Sequence, residues 1–374
     1  MSADHAGRGP DYAARRSALR GLLMENEVDA LMVTDPVNIR YLTGFCGKDS
    51  ALLVHSWDTG NDEERTVIGT DGCHRDLVAV QAPDLRAEIA SAATRRIVEL
   101  AGEWHVGRVG YESHVVTVEQ HRGLVERRTG LEFAATVGLV EQLRMVKDAH
   151  EAARIRTAAD ACDSGLRALL EAGGLRPGRT ERQVARDLAW AMFEHGAEWV
   201  AAATVATGKN SAVPRHRPAD TPLGTGDLVA VRCGAVVGDY HAVLTRTFVL
   251  GRAEEWQREA YALVAAAREA GRAALRPGVA VSAVDAAARA VIEAAGHGKS
   301  FVHGLGHGVG LRIDEAPGIA KTGTGTLLSG VAVTVEPGVY FPGRGGVRIE
   351  DTLVVREGGP ELLTHTSTDL TVVD

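Results

Sequence analysis

Between residues 15 and 146 the apolar positions switch repeatedly from a spacing of about 3.6 residues to a spacing of two, so helices and strands alternate along this stretch. The segment RRSALRGLLMENEV reads as an amphipathic helix, and DALMVT, ALLVHSW and RTVIGT read as strands. A second helix is expected over 85–100, a strand in VGRVGYES, a third helix over 118–128, and a closing unit in LEFAATVGLVEQLR. These elements predict an N-terminal α/β domain over residues 1–146. The pattern changes at Lys147–Asp148, and a second domain is expected over 147–374.

That second domain carries a duplication. A helix, the tetrapeptide LRPG at 175–178 and a helix ending at His195–Gly196 recur as a helix, LRPG at 275–278 and a helix ending at Ala295–Gly296. Capping pairs are expected after each LRPG, Thr180 with Gln183 and Ser282 with Asp285, because such side chains satisfy the free amides of a first helical turn. Strand-rich runs follow each helical half, LVAVRCGAVVGDYHAVLTRTFVL and VAVTVEPGVYFPGRGGVRIEDTLVV. Two such halves predict sheets packed face to face with helices outside, which would bring the inner residues together.

Composition narrows the classes. With 374 residues, 45% hydrophobic and 24% charged, the chain can bury two cores without disulfide or metal staples. A net charge of −8 with scattered basic residues excludes a nucleic-acid footprint and favours a small molecule or short peptide as partner. Cys46, Cys73, Cys162 and Cys233 lack zinc-site or disulfide spacing, so a reducing cytoplasm is expected. No apolar run of about 18 residues and no signal core is present, so no membrane partner is expected.

Candidate chemistry lies in the second half. In FVHGLGHGVG, His303 and His307 are four residues apart, but the interleaved glycines argue for a loop or strand rather than a helical metal pair. Glu336 in VTVEPG and Glu350 in VRIEDT stand inside apolar strand runs, where a carboxylate needs a cation, a metal or a proton. Histidine and two carboxylates suffice for a metal site or for an acid/base pair.

The blocks NIRYLTGFCG, IGTDG, VATGKNSAVP, LTRTF, HGLGHGVG, TVEPGVY and GVRIEDT together resemble the aminopeptidase P, prolidase and creatinase family. The resemblance runs from about Arg15 to the end. It implies an N-terminal α/β domain, a C-terminal pita-bread domain and a homodimer. It also implies two divalent ions held by two aspartates, one histidine and two glutamates. The histidine and glutamate positions are His307, Glu336 and Glu350; the aspartate positions fall on Arg232 and Val243. A substrate-side histidine position falls on Arg215, with His216 one place late, and another falls on Asp314, whereas His303, Arg246 and Arg348 match.

A guanidinium about 5 Å from a divalent ion costs roughly 7 kcal/mol at an effective dielectric near 20. The expectation is therefore that Arg232 takes the cation's place beside one or both glutamates, leaving no metal and no other cofactor. The leading functional expectation is a creatinase-like, metal-independent enzyme acting on a C–N bond of a small amino-acid-like or dipeptide-like substrate. In it His307, His303, Glu336 and Glu350 are catalytic, while Arg232, Arg348, His241, Arg215 and His216 bind substrate. His241 is the candidate to supply the missing imidazole. One alternative is an Xaa-Pro aminopeptidase or dipeptidase with a single divalent ion (Mn, Zn, Co or Fe) on His307, Glu336 and Glu350. Another is a non-catalytic binding protein.

Overall fold

The structure, a computed structural model, describes residues 9–57, 63–126 and 130–373. The chain divides into two compact units, one ending at Arg144 and one beginning at Met145.

In the first unit the order is α1 (Tyr12–Glu25), β1 (Ala30–Val33), α2 (Pro36–Thr43), β2 (Ala51–His55), β3 (Val67–Thr70), α3 (Arg75–Gln81), β4 (Arg86–Ile89), α4 (Ala93–Glu103), β5 (Arg108–Glu112), α5 (Val118–Val125), β6 (Glu132–Thr136) and α6 (Leu139–Met145). The strands form one sheet in the order β4-β3-β2-β1-β5-β6. Strands β1 and β2 are buried along their whole length, which is why their sequences are continuous apolar runs rather than alternating ones.

The helix expected over 85–100 is two elements. Residues Arg86–Ile89 pair in parallel with β3, and helix α4 starts only at Ala93; sheet pairing overrides the weak local helical preference. The third helix stops at Val125, and residues 127–128 of the expected 118–128 lie outside the described residues.

The second unit repeats a helix pair followed by strands. Helices α7 (Ala149–Glu171) and α8 (Glu181–Glu194) precede β7 (Trp199–Thr207), β8 (Leu228–Val237) and β9 (Tyr240–Leu250). Helices α9 (Glu255–Ala274) and α10 (Val281–Ala294) precede β10 (Gly306–Gly308), β11 (Glu315–Ile319), β12 (Ala332–Val335), β13 (Gly338–Phe341), β14 (Gly345–Arg348), β15 (Asp351–Val354), β16 (Glu361–Leu362) and β17 (Thr371–Val373). Thr180 and Gln183 form the expected capping box on α8. Its expected counterpart is absent: α10 begins at Val281 without a side-chain cap. Asp285 instead takes a bidentate ion pair with Arg289 at 2.8 Å and accepts from the Leu305 amide.

Each half has its own core. Val229, Val231, Cys233, Leu244 and Phe248 pack with Leu166, Leu188 and Met192 of α7 and α8. Val333, Val335, Val347 and Leu353 pack with Val264, Val284 and Ile292 of α9 and α10. The halves do not stack face to face as expected. They meet edge to edge, where the backbones of Thr245 and Glu350 exchange hydrogen bonds of 3.1 and 3.0 Å and Thr352 Oγ1 donates to the Val243 carbonyl at 2.8 Å. Residues from both sheets therefore reach one cavity along that seam.

Candidate active site

Period-two alternation places the first half's contribution. Val229, Val231 and Cys233 of β8 face the helices, so Arg232 projects from the opposite face. Arg232 pairs across the ladder with Thr245, and Gly234 with Val243, which puts Arg232, Thr245 and Val243 on one face. From the second half, His307 sits in β10. Its neighbour Gly306 is needed because a Cβ there would lie 2.0 Å from the Thr334 carbonyl oxygen, and this close approach seats the histidine against β12. Glu336 and Glu350 are not inside strands as expected; each follows or precedes one, at the β12–β13 and β14–β15 junctions.

Glu350 is fully buried. Arg232 grips it with both prongs, Nε to Oε2 and Nη2 to Oε1 at 3.1 Å each, the planar fork geometry that suits a carboxylate. Thr245 Oγ1 donates to the same carboxylate, and Arg348 Nη2 stands 3.3 Å from Oε2. Burial alone would raise the Glu350 pKa; the Arg232 and Arg348 charges outweigh it and hold the carboxyl well below the usual range.

Glu336 differs. Its oxygens lie 3.6 Å from His307 Nε2 and 3.7 Å from Arg348 Nη1, beyond hydrogen-bond reach. Burial, then the neighbouring charge of Glu350, pushes its pKa up to about 7. Arg232 thus pairs with one glutamate, not both, and Arg348 is committed to the protein's own carboxylates.

His307 Nδ1 lies 3.0 Å from the Gly308 carbonyl. The carbonyl can only accept, so Nδ1 carries a proton, and Nε2 is the ring nitrogen turned toward Glu336. His303 is held likewise, Nδ1 to the Gly304 carbonyl at 2.8 Å and Nε2 accepting from the Tyr340 hydroxyl at 2.8 Å. Burial lowers the His303 pKa and raises that of Tyr340 to about 12, so the imidazole is neutral and the phenol protonated at neutral pH.

A cavity of about 610 Å³ opens on these groups and is lined by His303, His307, Glu336, Arg348 and Arg232 on its chemical side. Arg215, His216 and Asp314 line it as well. His216 Nε2 is 2.7 Å from Glu181 Oε2. His241 is not among the lining residues: its Nδ1 is bound to the Gly310 carbonyl at 3.0 Å, so it does not replace a missing imidazole. Tyr340 and Glu181 were not singled out from sequence. Tyr340 lies in the TVEPGVY block, whereas Glu181 looks like an ordinary acidic first-turn residue and gives no signal of its complete burial.

Among the described residues, one cluster of donors can hold a metal ion: His307, Glu336 and Glu350, whose ligand atoms all lie within 4.8 Å of one another. Three donors fit one ion, and the Glu336 carboxyl, without a hydrogen bond from His307 or Arg348, beside the Nε2 edge of His307 is an arrangement a cation would satisfy.

Residues 153–357 match metallopeptidase family M24, and residues 15–146 match the creatinase/prolidase N-terminal domain. The chain belongs to metallopeptidase family M24. It is 31% identical over 354 residues to the Xaa-Pro dipeptidase of Pyrococcus furiosus, spanning 92% of this chain and 96% of that one. Among solved structures, an Xaa-Pro dipeptidase from Bacillus anthracis superposes with a TM-score of 0.91 at 30% identity, covering 97% and 100% of the two chains. An X-Pro aminopeptidase from Thermotoga maritima gives 0.83 at 28% identity, covering 96% and 99%.

These M24 relatives overturn the creatinase-like, metal-independent reading. That reading puts Arg232 in the cation's place beside one or both glutamates, but Arg232 meets Glu350 alone and leaves Glu336 without a hydrogen-bonded cation. Among the described residues no helix is long and apolar enough to cross a membrane.

Proposed function

We propose that this hydrolase cleaves the peptide bond of an Xaa-Pro dipeptide in the cavity beside His307, using one divalent ion. The observation that carries the reading is the convergence of His307 Nε2, Glu336 and Glu350 on one point at the wall of a cavity large enough for a dipeptide. His307, Glu336 and Glu350 would hold the ion, which when bound supplies Lewis-acid polarisation of the scissile carbonyl.

This chain's own residues do the rest. Glu336, with one oxygen toward His307 and the other toward Arg348, takes a proton from the attacking water as the carbon–oxygen bond forms. The same carboxyl returns that proton to the proline nitrogen as the carbon–nitrogen bond breaks. Arg348 keeps the two glutamates from repelling each other, and Arg232 with Thr245 fixes the orientation of Glu350. His303, held by Tyr340 and the Gly304 carbonyl, offers a neutral, immobile edge for the substrate.

Proline release from a panel of Xaa-Pro dipeptides, with Mn, Co, Zn or Fe added to chelator-treated protein, tests the reading. Metal-restored release that Glu336→Gln lowers at least about a hundredfold is expected. No release with any of these ions contradicts it. The homodimer implied by the family resemblance is carried forward as a proposal, tested by sedimentation.

A further inference from the structure

Arg232, Arg246 and Arg348 meet at the seam between the two sheets, and only Arg232 keeps an open side there. Arg246 gives its donors to backbone carbonyls and to Asp351. Arg348 sends Nη2 to Thr245 Oγ1 at 3.1 Å and toward Glu350 at 3.3 Å, and turns Nη1 toward Glu336. Arg232 uses Nε and Nη2 on Glu350. Among the described residues the opposite edge of its guanidinium, at Nη1, has no partner.

Arg232 lines two connected spaces. One is the cavity described above; the other is a recess of about 40 Å³ that shares Arg232, Arg348, Thr204, Pro214 and His216 with it. The recess is little larger than the share of one water in the liquid, about 30 Å³, so it takes an oxygen-sized group and not a side chain of the substrate. Thr245 and Tyr340 also line it, and among the described residues no carboxylate does. Its charge is therefore that of the arginines.

The walls are pinned. The buried Glu350 carboxylate grips the fork of Arg232 on one side. The loop bearing Pro214 and His216 is tied by Glu181, which has no exposed surface. Glu181 accepts from the Thr207 amide at 2.8 Å, Asn210 Nδ2 at 2.9 Å, the Ala219 amide at 2.9 Å and His216 Nε2 at 2.7 Å. A small, fixed, cationic recess stabilises negative charge developing on an oxygen, because its donors need not reorganise at that moment.

We propose that Arg232 is a catalytic residue: its open edge donates to the carbonyl oxygen of the scissile bond as that oxygen becomes an oxyanion in the recess. As water adds, its oxygen bonds to the carbonyl carbon, one of its protons passes to Glu336, and the carbonyl π pair moves onto the oxygen at Arg232. As the intermediate collapses, that pair re-forms the carbonyl, the carbon–nitrogen bond breaks, and the proline nitrogen takes the proton from Glu336. The assignment deepens the dipeptide-hydrolase reading and rests on it for the identity of the oxygen, but anion binding tests it separately.

The probes are the phosphinate isostere of Ala-Pro, which carries charged oxygens on a tetrahedral centre, its neutral trigonal ketomethylene isostere, and inorganic phosphate. The proteins are the unaltered chain, Arg232→Met and Arg232→Lys, the last keeping a charge beside Glu350 without the planar fork. Affinities are measured by calorimetry with and without manganese. Proline release is measured at saturating manganese, so that a change in ion affinity does not enter. Arg232→Met should lower phosphinate affinity by at least about tenfold, with or without the ion, the worth of a hydrogen bond to a charged group. Its affinity for the ketomethylene isostere should be unchanged, which also shows an intact cavity. Its kcat should fall by on the order of a hundredfold with KM nearly unchanged. Arg232→Lys should fall between the two proteins, and it carries the same contrast where Arg232→Met does not fold.

Equal losses for the phosphinate and the ketomethylene isostere would make Arg232 a positioning residue for Glu350 and overturn the assignment, as would an unchanged kcat. Phosphate binding as tightly as the phosphinate, and through Arg232, would overturn it too, since the recess would then serve free anions. If phosphinate discrimination depends on Arg232 but no Xaa-Pro dipeptide is cleaved, the hydrolase reading fails and the oxyanion-binding edge stands. Cleavage indifferent to Arg232 does the reverse.

Discussion

Glu350 and Asp351 are neighbours in the chain, both buried, and each is met by an arginine from the other half of the domain, yet they sit in opposite surroundings. Asp351 accepts from Arg246 Nη2 at 2.7 Å and Thr364 Oγ1 at 2.7 Å, and Arg268 closes the remaining side. Arg246 in turn spends its other donors on the carbonyls of Thr245, Glu350, Thr366 and Ser367. Every prong is used and none faces the cavity.

On the other side of the strand, the Arg232 side chain is a quarter exposed, and Glu350 is its one partner among the described residues. The same kind of ion pair is a fixed brace where it is closed off. Where it opens on a cavity, one side of the arginine is left facing that space.

The comparison breaks first if the brace proves dispensable. Asp351→Asn strands the buried Arg246 and Arg268 charges, so about 3–5 kcal/mol of stability should be lost at pH 7, read by chemical denaturation. The effect has a pH signature. Burial pushes the Asp351 carboxyl up, but Arg246 and Arg268 hold it below the ordinary value. A depressed folded-state pKa adds stability above the unfolded pKa near 4 and loses it as pH falls through the folded value. The gap between the two proteins should therefore narrow below about pH 4, and a gap independent of pH would contradict the assignment.

The next effect is on turnover. His307→Ala should lower metal-restored proline release by at least about a hundredfold, with a much smaller change in the denaturation midpoint than Asp351→Asn, because among the described residues the His307 ring makes one hydrogen bond, to the Gly308 carbonyl. Comparable losses of fold and activity would make His307 part of the brace.

The smallest effect sharpens the contrast. Arg232→Met removes the competitor for Glu350, so the affinity for a divalent ion should rise by on the order of tenfold, read by calorimetry. Unchanged or weaker binding would show that Arg232 helps to shape the site rather than competing for it.

Much of this was legible in the sequence where chemistry forced it. Carboxylates in apolar runs needed a cation, and Glu350 has two arginines; glycines around His307 excluded a helix, and a three-residue strand holds it. Legibility ended where partners come from distant segments. Nothing local says that His241 faces a carbonyl of Gly310, that Ser282 lies inside α10 while Asp285 turns to Arg289, or that Glu181 gathers four donors from the loop bearing Arg215. Nor does the face of a strand tell whether two sheets will stack or join at an edge. The pairing of Thr245 with Glu350 decides that, and it places Arg232 against Glu350 and away from Glu336.

The most direct test of the central claim is a calorimetric titration of the chelator-treated protein with manganese. One ion bound per chain, with binding lost in His307→Ala and Glu336→Gln, is the predicted result. Two ions per chain, or binding that persists undiminished in both variants, would contradict it.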